Sequence, residues 1–468
     1  MAILLAAALP LSAQEARAGY ELSEHELALL ELINQARANP GAAIYLAGLD
    51  PDAVSENIPS LRQLLETGMK PFAFHPRLQA AAQKHTRDMF QYNHYGTVLP
   101  DGLSLEEKVL GQGYPAIDAD LTLGNVVFQN FIAPEDAVWK VFRAMLLEEL
   151  NSGDEKNLVL LNPDHNEIGI SLIAGEMVFK GQTRNVYLSS CFVGHSLGGQ
   201  VSELLLEMIN MLRNRPEYSI QEPDPEFLIQ EEEAKSLSLR GMPPLAEQVQ
   251  LISAGLTHIF DMGEKLYYDP VSPEGESPVD RVSRFGYGVS EISNALAFVE
   301  IQENQSSLHY ASNLFDQLIL QEFLSTNGPE HILDRRFSEA GVAVGLITVE
   351  ISTETRKDFL VLSAYFTKPV SSRMFAVGGV YTALKDEAGE EYWKGVQNLK
   401  LELATLVGDN VIESSRTGPM GLFQIPILPG MYKINLVDHD RVIASKPLIM
   451  PQENVYVNFW LREPDFNE

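Results

Sequence analysis

Two pairs of histidine and aspartate have residue types and a spacing that could do chemistry. His85 precedes Asp88 by three positions, and His258 precedes Asp261 by the same spacing. Residues three apart on a helix lie on one face, so each carboxylate could orient an imidazole that acts as a general base. Because both pairs have apolar neighbours, we favour another interpretation, in which each histidine is partly buried and hydrogen-bonded to its surroundings.

The segment Gly194-His195-Ser196-Leu197-Gly198 has the G-x-S-x-G pattern of a serine-hydrolase nucleophile elbow. A predicted strand precedes it and a predicted helix follows it, as the elbow requires. We nevertheless expect a glycine-bearing linker, because the parallel hydrolase sheet and the downstream acid and histidine have no evident place. Cys191, the single cysteine, lies in an alternating apolar strand and is expected to be a buried, unpaired thiol.

An internal duplication tells us which elements position these residues. Segments 30–40 (LELINQARANP) and 206–216 (LEMINMLRNRP) share a glutamate, an asparagine, an arginine and a proline at equal spacing. The match continues through His85 and His258 and through the two Gly-Tyr pairs at 113–114 and 286–287. A nearly constant separation over so many positions predicts two tandem copies of one domain.

Each copy is predicted to place its helices first and its strands last. The apolar spacing predicts helices over 29–36, 78–90 and 135–150 and strands over 167–179 and 186–192 in the first copy, and strands over 341–351 and 359–366 in the second. The fold class is therefore α+β, with two tandem α-β-α sandwich domains at 19–194 and 202–369 and a linker at 195–201.

Residues 373–468 have a different pattern, with short alternating strands predicted at 399–406, 422–428, 432–437 and 455–461. They predict a small all-β sandwich of the Greek-key type. The acidic stretch 385–391 lacks the regular alternation of a calcium loop, and so does the run 222–233. We expect no tight calcium site in either segment.

Charge and the first residues restrict the location and the partners. The chain of 468 residues has 64 acidic and 34 basic side chains, a net charge of −30, which excludes nucleic-acid binding as a main function. The apolar run 2–13 and the A-x-A pattern at 16–18 predict a signal peptide over 1–18, although it lacks a basic n-region. No later apolar run is long enough to span a bilayer. We expect an exported protein, extracellular or periplasmic, with no transmembrane segment in the mature chain.

These motifs together resemble the CAP superfamily, the cysteine-rich secretory, antigen 5 and pathogenesis-related proteins, and in particular its bacterial SCP-like branch. The resemblance is carried by LINQARANP, HTRDM, PDG, GY and NPDHNEIGIS in the first copy and by HIFDM and LDRRFSEAGVAVG in the second. It implies exported α-β-α sandwiches, each with a large cleft. Such clefts often hold two histidines and one or two acids, sometimes with a zinc-like metal.

The resemblance also implies which positions correspond to those cleft groups. The first histidine corresponds to Thr97 and Pro270, the acid to Gly124 and Glu291, and the second histidine to Asp154 and Gly328. Only Glu291 keeps the residue type. Because a metal needs three or four well-placed ligands, both clefts are expected to be degenerate, with no metal or cofactor unless zinc is held by substitutes. The candidate substitutes are His94 in the first copy and His331 with Glu291 in the second, and Asp101, which is expected to form a turn with Gly102, is a further cleft candidate.

We therefore expect a non-catalytic binding or structural module that contacts a protein or a small apolar ligand outside the cytoplasm. One alternative is a CAP-type, peptidase-like hydrolase in which Glu291 is the base or ligand and His331 is its partner. A hydrogen bond between these two side chains in one open cleft would favour it. A further alternative is a binder of sterol-like ligands, which requires a wide apolar groove. The end of the chain, GLFQIPILPGMYKINL, resembles carboxypeptidase-regulatory-like and B-type sandwiches, and implies spacing or partner contact.

Overall fold

The computed structural model describes residues 22–128, 132–179, 181–214, 242–302, 304–324, 331–352, 355–371, 373–385, 391–406, 410–418, 420–439, 441–450 and 453–461. The chain divides into two compact units, Met1–Gly199 with Phe260–Tyr268 and Gln200–Ile259 with Asp269–Glu468. The predicted signal peptide, the acidic run 222–233 and most of the acidic stretch 385–391 lie outside the described residues.

Helices and one sheet build the first unit. The helices are α1 (Glu24–Ala38), α2 (Pro40–Leu46), α3 (Pro51–Asn57), α4 (Pro59–Thr67), α5 (Pro76–Tyr92), α6 (Leu105–Leu110) and α7 (Pro134–Asn151), with a 3-10 turn at Glu155–Asn157. The strands are β1 (Ala73–Phe74), β2 (Ala116–Phe128), β3 (Glu167–Phe179) and β4 (Gln182–Ser196), in the order β1-β3-β4-β2. Ser23 and Glu26 form a capping box that starts α1.

Two glycines show that helices cover both faces of this sheet. A Cβ at Gly169 would overlap the backbone of Leu78 and Gln79 in α5. On the opposite face, a Cβ at Gly124 would lie 2.8 Å from Val141 and 2.9 Å from Met145 in α7. The close approach of both helices requires residues without side chains at these points. The layers are therefore helix, sheet and helix.

The segment predicted as a linker, 195–201, is not a loop. Strand β4 continues to Ser196, and α8 (Leu197–Asn214) begins at the next residue. The Ser196 hydroxyl accepts a hydrogen bond from Gly199 N (3.0 Å) and donates one to Glu167 Oε1 (3.0 Å). Ser196 is thus the N-cap of α8, and this is why the chain needs no intervening loop. The linker prediction was wrong because cap residues and loop residues have the same composition.

The second unit contains a sheet with the same strand order as the first. Its helices are most of α8, the first part of α9 (Val249–Lys265), α10 (Pro278–Arg284) and α11 (Ser307–Leu324). The strands are β5 (Ala246–Glu247), β6 (Val289–Glu300), β7 (Glu339–Ser352) and β8 (Thr355–Pro369), in the order β5-β7-β8-β6. Each sheet thus has one short parallel edge strand and three long antiparallel strands.

The repeated asparagine and arginine have the same structural role in both sheets. Arg37 is fully buried and donates to the carbonyl oxygens of Lys70, Leu160, Asn162 and His165. Arg213 is also fully buried and donates to those of Pro243, Ile332, Asp334 and Phe337. Asn34 and Asn210 each form two hydrogen bonds with the backbone of one residue, Phe72 and Leu245 respectively. The sequence motif therefore reflects a need to satisfy buried backbone.

Two further sheets follow in the second unit and enclose one apolar core. Strands β9 (Met374–Lys385), β10 (Glu391–Gly395) and β13 (Leu422–Ile427) form one sheet with the short β16 (Val455–Tyr456) and β17 (Phe459–Leu461). Strands β11 (Lys400–Thr405), β12 (Val411–Arg416), β14 (Gly430–Asp438) and β15 (Arg441–Met450) form the other. Phe423, Leu436 and Phe459 are among the core residues. The single strand predicted over 455–461 is two strands.

Candidate functional sites at the sheet ends

The strand registers show which residues are equivalent in the two copies. Asp118 lies opposite His195 on β4, directly after a bulge in β2. Glu291 lies opposite Lys368 on β8, directly after a bulge in β6. Asp118 therefore corresponds to Glu291, and His195 corresponds to Lys368.

Gly124 is thus not the counterpart of Glu291. It lies six residues further along β2 and packs under α7. The prediction failed because it matched Gly124 to a family motif, whereas the strand register places Asp118 at this position. Asp118 was missed, although its spacing from the Gly-Tyr pair equals that of Glu291.

At the sheet end of the first copy, two exposed carboxylates lie beside a buried imidazole. His165 Nε2 is 3.4 Å from Asp118 Oδ2 and 3.9 Å from Asp120 Oδ2, and the His165 side chain has no exposed surface. Burial lowers the pKa of His165, while Asp120 and Asp118 raise it. Burial also raises the pKa of Asp120. His195 is buried as well, and its Nε2 has no hydrogen-bond partner. No lysine or arginine pairs with Asp118 or Asp120 in the described part of the chain.

The equivalent place in the second copy is an ion-pair network. Glu291 Oε1 is 3.0 Å from Lys368 Nζ, and Glu291 Oε2 is 2.9 Å from Arg336 Nη1. Arg336 also binds Asp334, at 2.5 Å. The pKa of Glu291 is lowered, mainly by its hydrogen bond with Lys368. The carboxylate that keeps the residue type of the family is therefore held by two cations, which makes it a weak base.

His331 does not bond to Glu291. Its Nδ1 is 2.6 Å from the hydroxyl of Ser293, and its backbone N–H donates to Glu322 Oε1 (2.8 Å). Ser293 lies two residues after Glu291 on β6, so both side chains are on one face of the strand. Among the described residues, the contact that the peptidase-like alternative needs is absent.

The other positions derived from the family resemblance make structural contacts that involve backbone groups. The Thr97 carbonyl accepts from Lys108 Nζ (2.9 Å) and the Pro270 carbonyl from Arg281 Nη1 (2.8 Å). Asp154 caps the 3-10 turn through Lys156 N (3.0 Å). Gly328 lies outside the described residues. These contacts give no evidence of a shared site for Thr97 and Asp154 in the first copy, or for Pro270 and Glu291 in the second.

One of the two candidates in the first copy, Asp101, lies at a small cavity of about 180 Å³. Asp101 lines it and accepts from Leu103 N (3.1 Å), whereas His94 is exposed nearby in sequence. The charged side chains of the lining are Lys84, Asp88, Asp101, Glu107 and Lys108. His94 and Asp101 are not brought together with another histidine or acid into a ligand set.

The two helix histidines are buried, as the structural interpretation expects. His258 uses both ring nitrogens, with Ser363 Oγ and the Asp269 carbonyl each at 3.0 Å. His85 uses one, at 3.2 Å from the Gly96 carbonyl, and its Nδ1 is buried without a partner. Burial lowers the pKa of His85 to about 4, so the ring is neutral near pH 7.

Neither nucleophile candidate from the sequence is arranged for catalysis. The Ser196 hydroxyl caps a helix and donates to a carboxylate, so no histidine activates it. Cys191 is fully buried, and burial raises its pKa to about 12, which leaves an inert thiol. Within the described ranges, no three histidine, cysteine, aspartate or glutamate residues are placed to hold a metal ion. No described helix is long and apolar enough to cross a bilayer.

Comparisons with known proteins show a similarity to one family in the first part of the chain. Residues 30–186 match the family model of CAP, the cysteine-rich secretory protein family. An extracellular protein containing an SCP domain from Bacillus anthracis str. Ames, solved at 1.5 Å, aligns with 12% identity over 42% of this chain and 59% of its own, with a TM-score of 0.23. The Bacillus anthracis TIE protein aligns with 11% identity over 26% and 24%, with a TM-score of 0.14. The chain thus spans less than two thirds of either structure. No curated protein matches the sequence.

Proposed function

We propose that this is an exported protein with two tandem CAP-like domains and a C-terminal β-sandwich, and that it serves as a binding or structural module outside the cytoplasm. The second CAP-like domain covers 202–369. Its support is the strand order shared with the first sheet and the buried arginine that binds four carbonyl oxygens in each copy. The match of 30–186 to a secretory family supports export.

One observation supports the proposal that the clefts do not use the histidine and carboxylate chemistry of the family. Glu291, the only family-type group at the six positions, is bound by Lys368 and Arg336. A general base needs a pKa near the working pH and an oxygen free to take a proton, and these cations oppose both. A metal would also have to displace two cations from the carboxylate.

The test is a calorimetric titration of Zn²⁺ into the mature protein near pH 7, after removal of any affinity tag, with Glu291→Ala as the matched variant. We expect no specific heat from either protein. Micromolar or tighter binding that disappears in Glu291→Ala would contradict the proposal and restore a metal-assisted site in the second copy.

A hydrolase in the second copy is the alternative, and the bond between His331 and Ser293 is the observation in its favour. A serine hydroxyl 2.6 Å from an imidazole nitrogen is the start of a nucleophile and base pair. A fluorophosphonate probe tests it, with Ser293→Ala against Ser290→Ala, the exposed serine three residues earlier. Labelling lost only in Ser293→Ala would favour the hydrolase, and no labelling would exclude it.

A sterol-like ligand has less support. The cavity of about 180 Å³ beside His85 is small for such a ligand, and five charged side chains line it. Apolar ligands favour larger, mostly apolar pockets. We therefore propose a protein partner rather than an apolar small molecule.

A further inference from the structure

The duplication provides an internal template for the sheet end of the first domain. In the second domain, the acid that follows the β-bulge is satisfied within the chain, because Lys368 stands opposite it and Arg336 reaches it from the loop before β7. The second domain therefore shows that a lysine or arginine side chain complements a carboxylate at this position.

The first domain has the acid, but among its described residues no lysine or arginine pairs with it. His195 stands where the second domain has Lys368, and Asp164 stands where it has Arg336. A second acid, Asp120, replaces Ser293. The polar contacts of Asp118 are Ala119 N (2.9 Å) and His165 Nε2, and Asp120 lies near the same ring nitrogen. Because the pKa of His165 is lowered, this ring supplies little positive charge.

The two carboxylates are accessible, and buried polar groups lie behind them. The side chains of Asp118 and Asp120 are 68% and 39% exposed. His165 Nε2 lies within 4 Å of both carboxylates. His195, which is 7% exposed, lies opposite Asp118 on the neighbouring strand, where the second domain has Lys368. The site thus combines two open acids with an imidazole at the strand position that holds a cation in the second domain.

We propose that the sheet end of the first domain, formed by Asp118, Asp120, His165 and His195, binds a lysine or arginine side chain that projects from a basic segment of a partner protein. This rests on the proposed binding function and names the partner's chemistry. The partner's lysine or arginine side chain takes the position that Lys368 and Arg336 occupy in the second domain. A net charge of −30 attracts such a partner at long range, and the two acids determine where it binds.

The geometry favours a side chain over a metal ion. No described group of three possible ligands is placed for a metal, and the more distant of the two acids is 3.9 Å from the imidazole nitrogen. Exposed carboxylates on a strand end also suit a long, flexible ammonium or guanidinium arm, which reaches a surface without entering a cavity.

The experiment uses the full mature protein and a short fluorescein-labelled peptide of alternating glycine and lysine, followed by fluorescence anisotropy at about 50 mM NaCl. The test variant is Asp118→Asn/Asp120→Asn. The matched control, Glu56→Gln/Glu176→Gln, removes two exposed carboxylates elsewhere in the first unit and leaves the same net charge. We expect the test variant to bind about fivefold more weakly than the control, with the difference lost at about 500 mM NaCl. Equal affinities of the two variants would overturn the proposal.

A second variant asks whether the internal template is the correct one. His195→Lys introduces the cation of the second domain opposite Asp118, so it should weaken peptide binding although both acids remain. Circular dichroism checks its fold, and Asp164→Arg, at an exposed loop position, gives the same test if His195→Lys does not fold. Unchanged binding in a folded variant would contradict the proposal. Zinc binding in the calorimetric titration, or labelling by the fluorophosphonate probe, would instead contradict the proposed function. Because these readouts differ from peptide anisotropy, a failure of either proposal can be recognised separately.

Discussion

The same sheet end is charge-balanced in the second copy and negative in the first. Glu291 and Asp334 face Arg336 and Lys368 in the second copy, whereas Asp118 and Asp120 lie beside one imidazole, that of His165, in the first. The backbone around them is nearly the same, with a bulge one residue before the acid in each case. The two sheet ends therefore have the same strand register and different surface charges.

This contrast separates residues that maintain the fold from residues that are free to change. The buried arginines and the pairs of Tyr114 with Glu167 and Tyr287 with Glu339, both at 2.6 Å, are identical in the two copies. Each satisfies groups that have no access to water. The exposed partners of the acids differ, because water can replace any of them.

The largest expected effect comes from the buried arginines. Arg37→Met and Arg213→Met should each lower the free energy of unfolding by about 3–5 kcal/mol, because four buried carbonyl oxygens lose their donor and methionine keeps only the volume. Chemical denaturation measures it, with Trp139 as reporter of the first unit and Trp460 of the second in single-tryptophan backgrounds. Arg62→Met, at an exposed position, is the control. A loss of stability in only one of the two variants would show that Arg37 and Arg213 are not structurally equivalent.

The next effect compares Glu207 with its counterpart Glu31. Glu207 is buried, and Tyr381 on β9 and Tyr456 on β16 donate to it, the second at 2.5 Å, whereas Glu31 is exposed. Glu207→Ala should cost about 2–4 kcal/mol because two buried hydroxyls lose their acceptor. Glu31→Ala should stay within about 0.5 kcal/mol. Trp460, which stacks on Tyr381 at 4.6 Å, reports the unfolding. Equal small losses would show that the sandwich does not depend on this contact.

A smaller effect depends on pH and concerns Glu149. Burial raises the pKa of this carboxyl to about 7, against the opposing effect of its hydrogen bonds with Leu160 and Leu161. The folded state then holds a proton that the unfolded state releases above about pH 4.5. Stability of the first unit should fall as pH rises from about 4.5 to about 7, by an amount on the order of 1–3 kcal/mol, and then level off.

Glu149→Gln should remove that part of the slope, because the amide does not titrate. Urea unfolding at a series of pH values, followed through Trp139, gives the difference between the two proteins. Parallel curves for both would show that Glu149 is ionised in the fold.

The sequence predicts the elements better than it predicts the contacts. Apolar periodicity over 78–90 and 135–150 predicts α5 and α7 to within two residues, because the buried face of a helix has a regular spacing of apolar residues. The spacing from the Gly-Tyr pair is enough to equate Asp118 with Glu291, but the pairing of Glu291 with Arg336 spans 45 residues. Such contacts depend on strand register and loop path, which local patterns do not contain. The linker at 195–201 was misjudged for a different reason, since a helix cap and a linker have the same residue types.

The smallest effect concerns Glu291 and is the one that most sharpens the comparison. Its partners are exposed, with Lys368 at 53% and Arg336 at 61%, so solvent competes for each ion pair. Glu291→Gln should leave the denaturation midpoint of the second unit unchanged, because the cations return to water. It should also leave binding of the glycine and lysine peptide unchanged, since this acid already has its cations. Lys368→Ala/Arg336→Ala, by contrast, frees the acid and should add a second peptide site, visible as a higher stoichiometry. A stoichiometry that stays the same would show that the exposed acid alone does not make the site, and that the buried histidines of the first copy are needed.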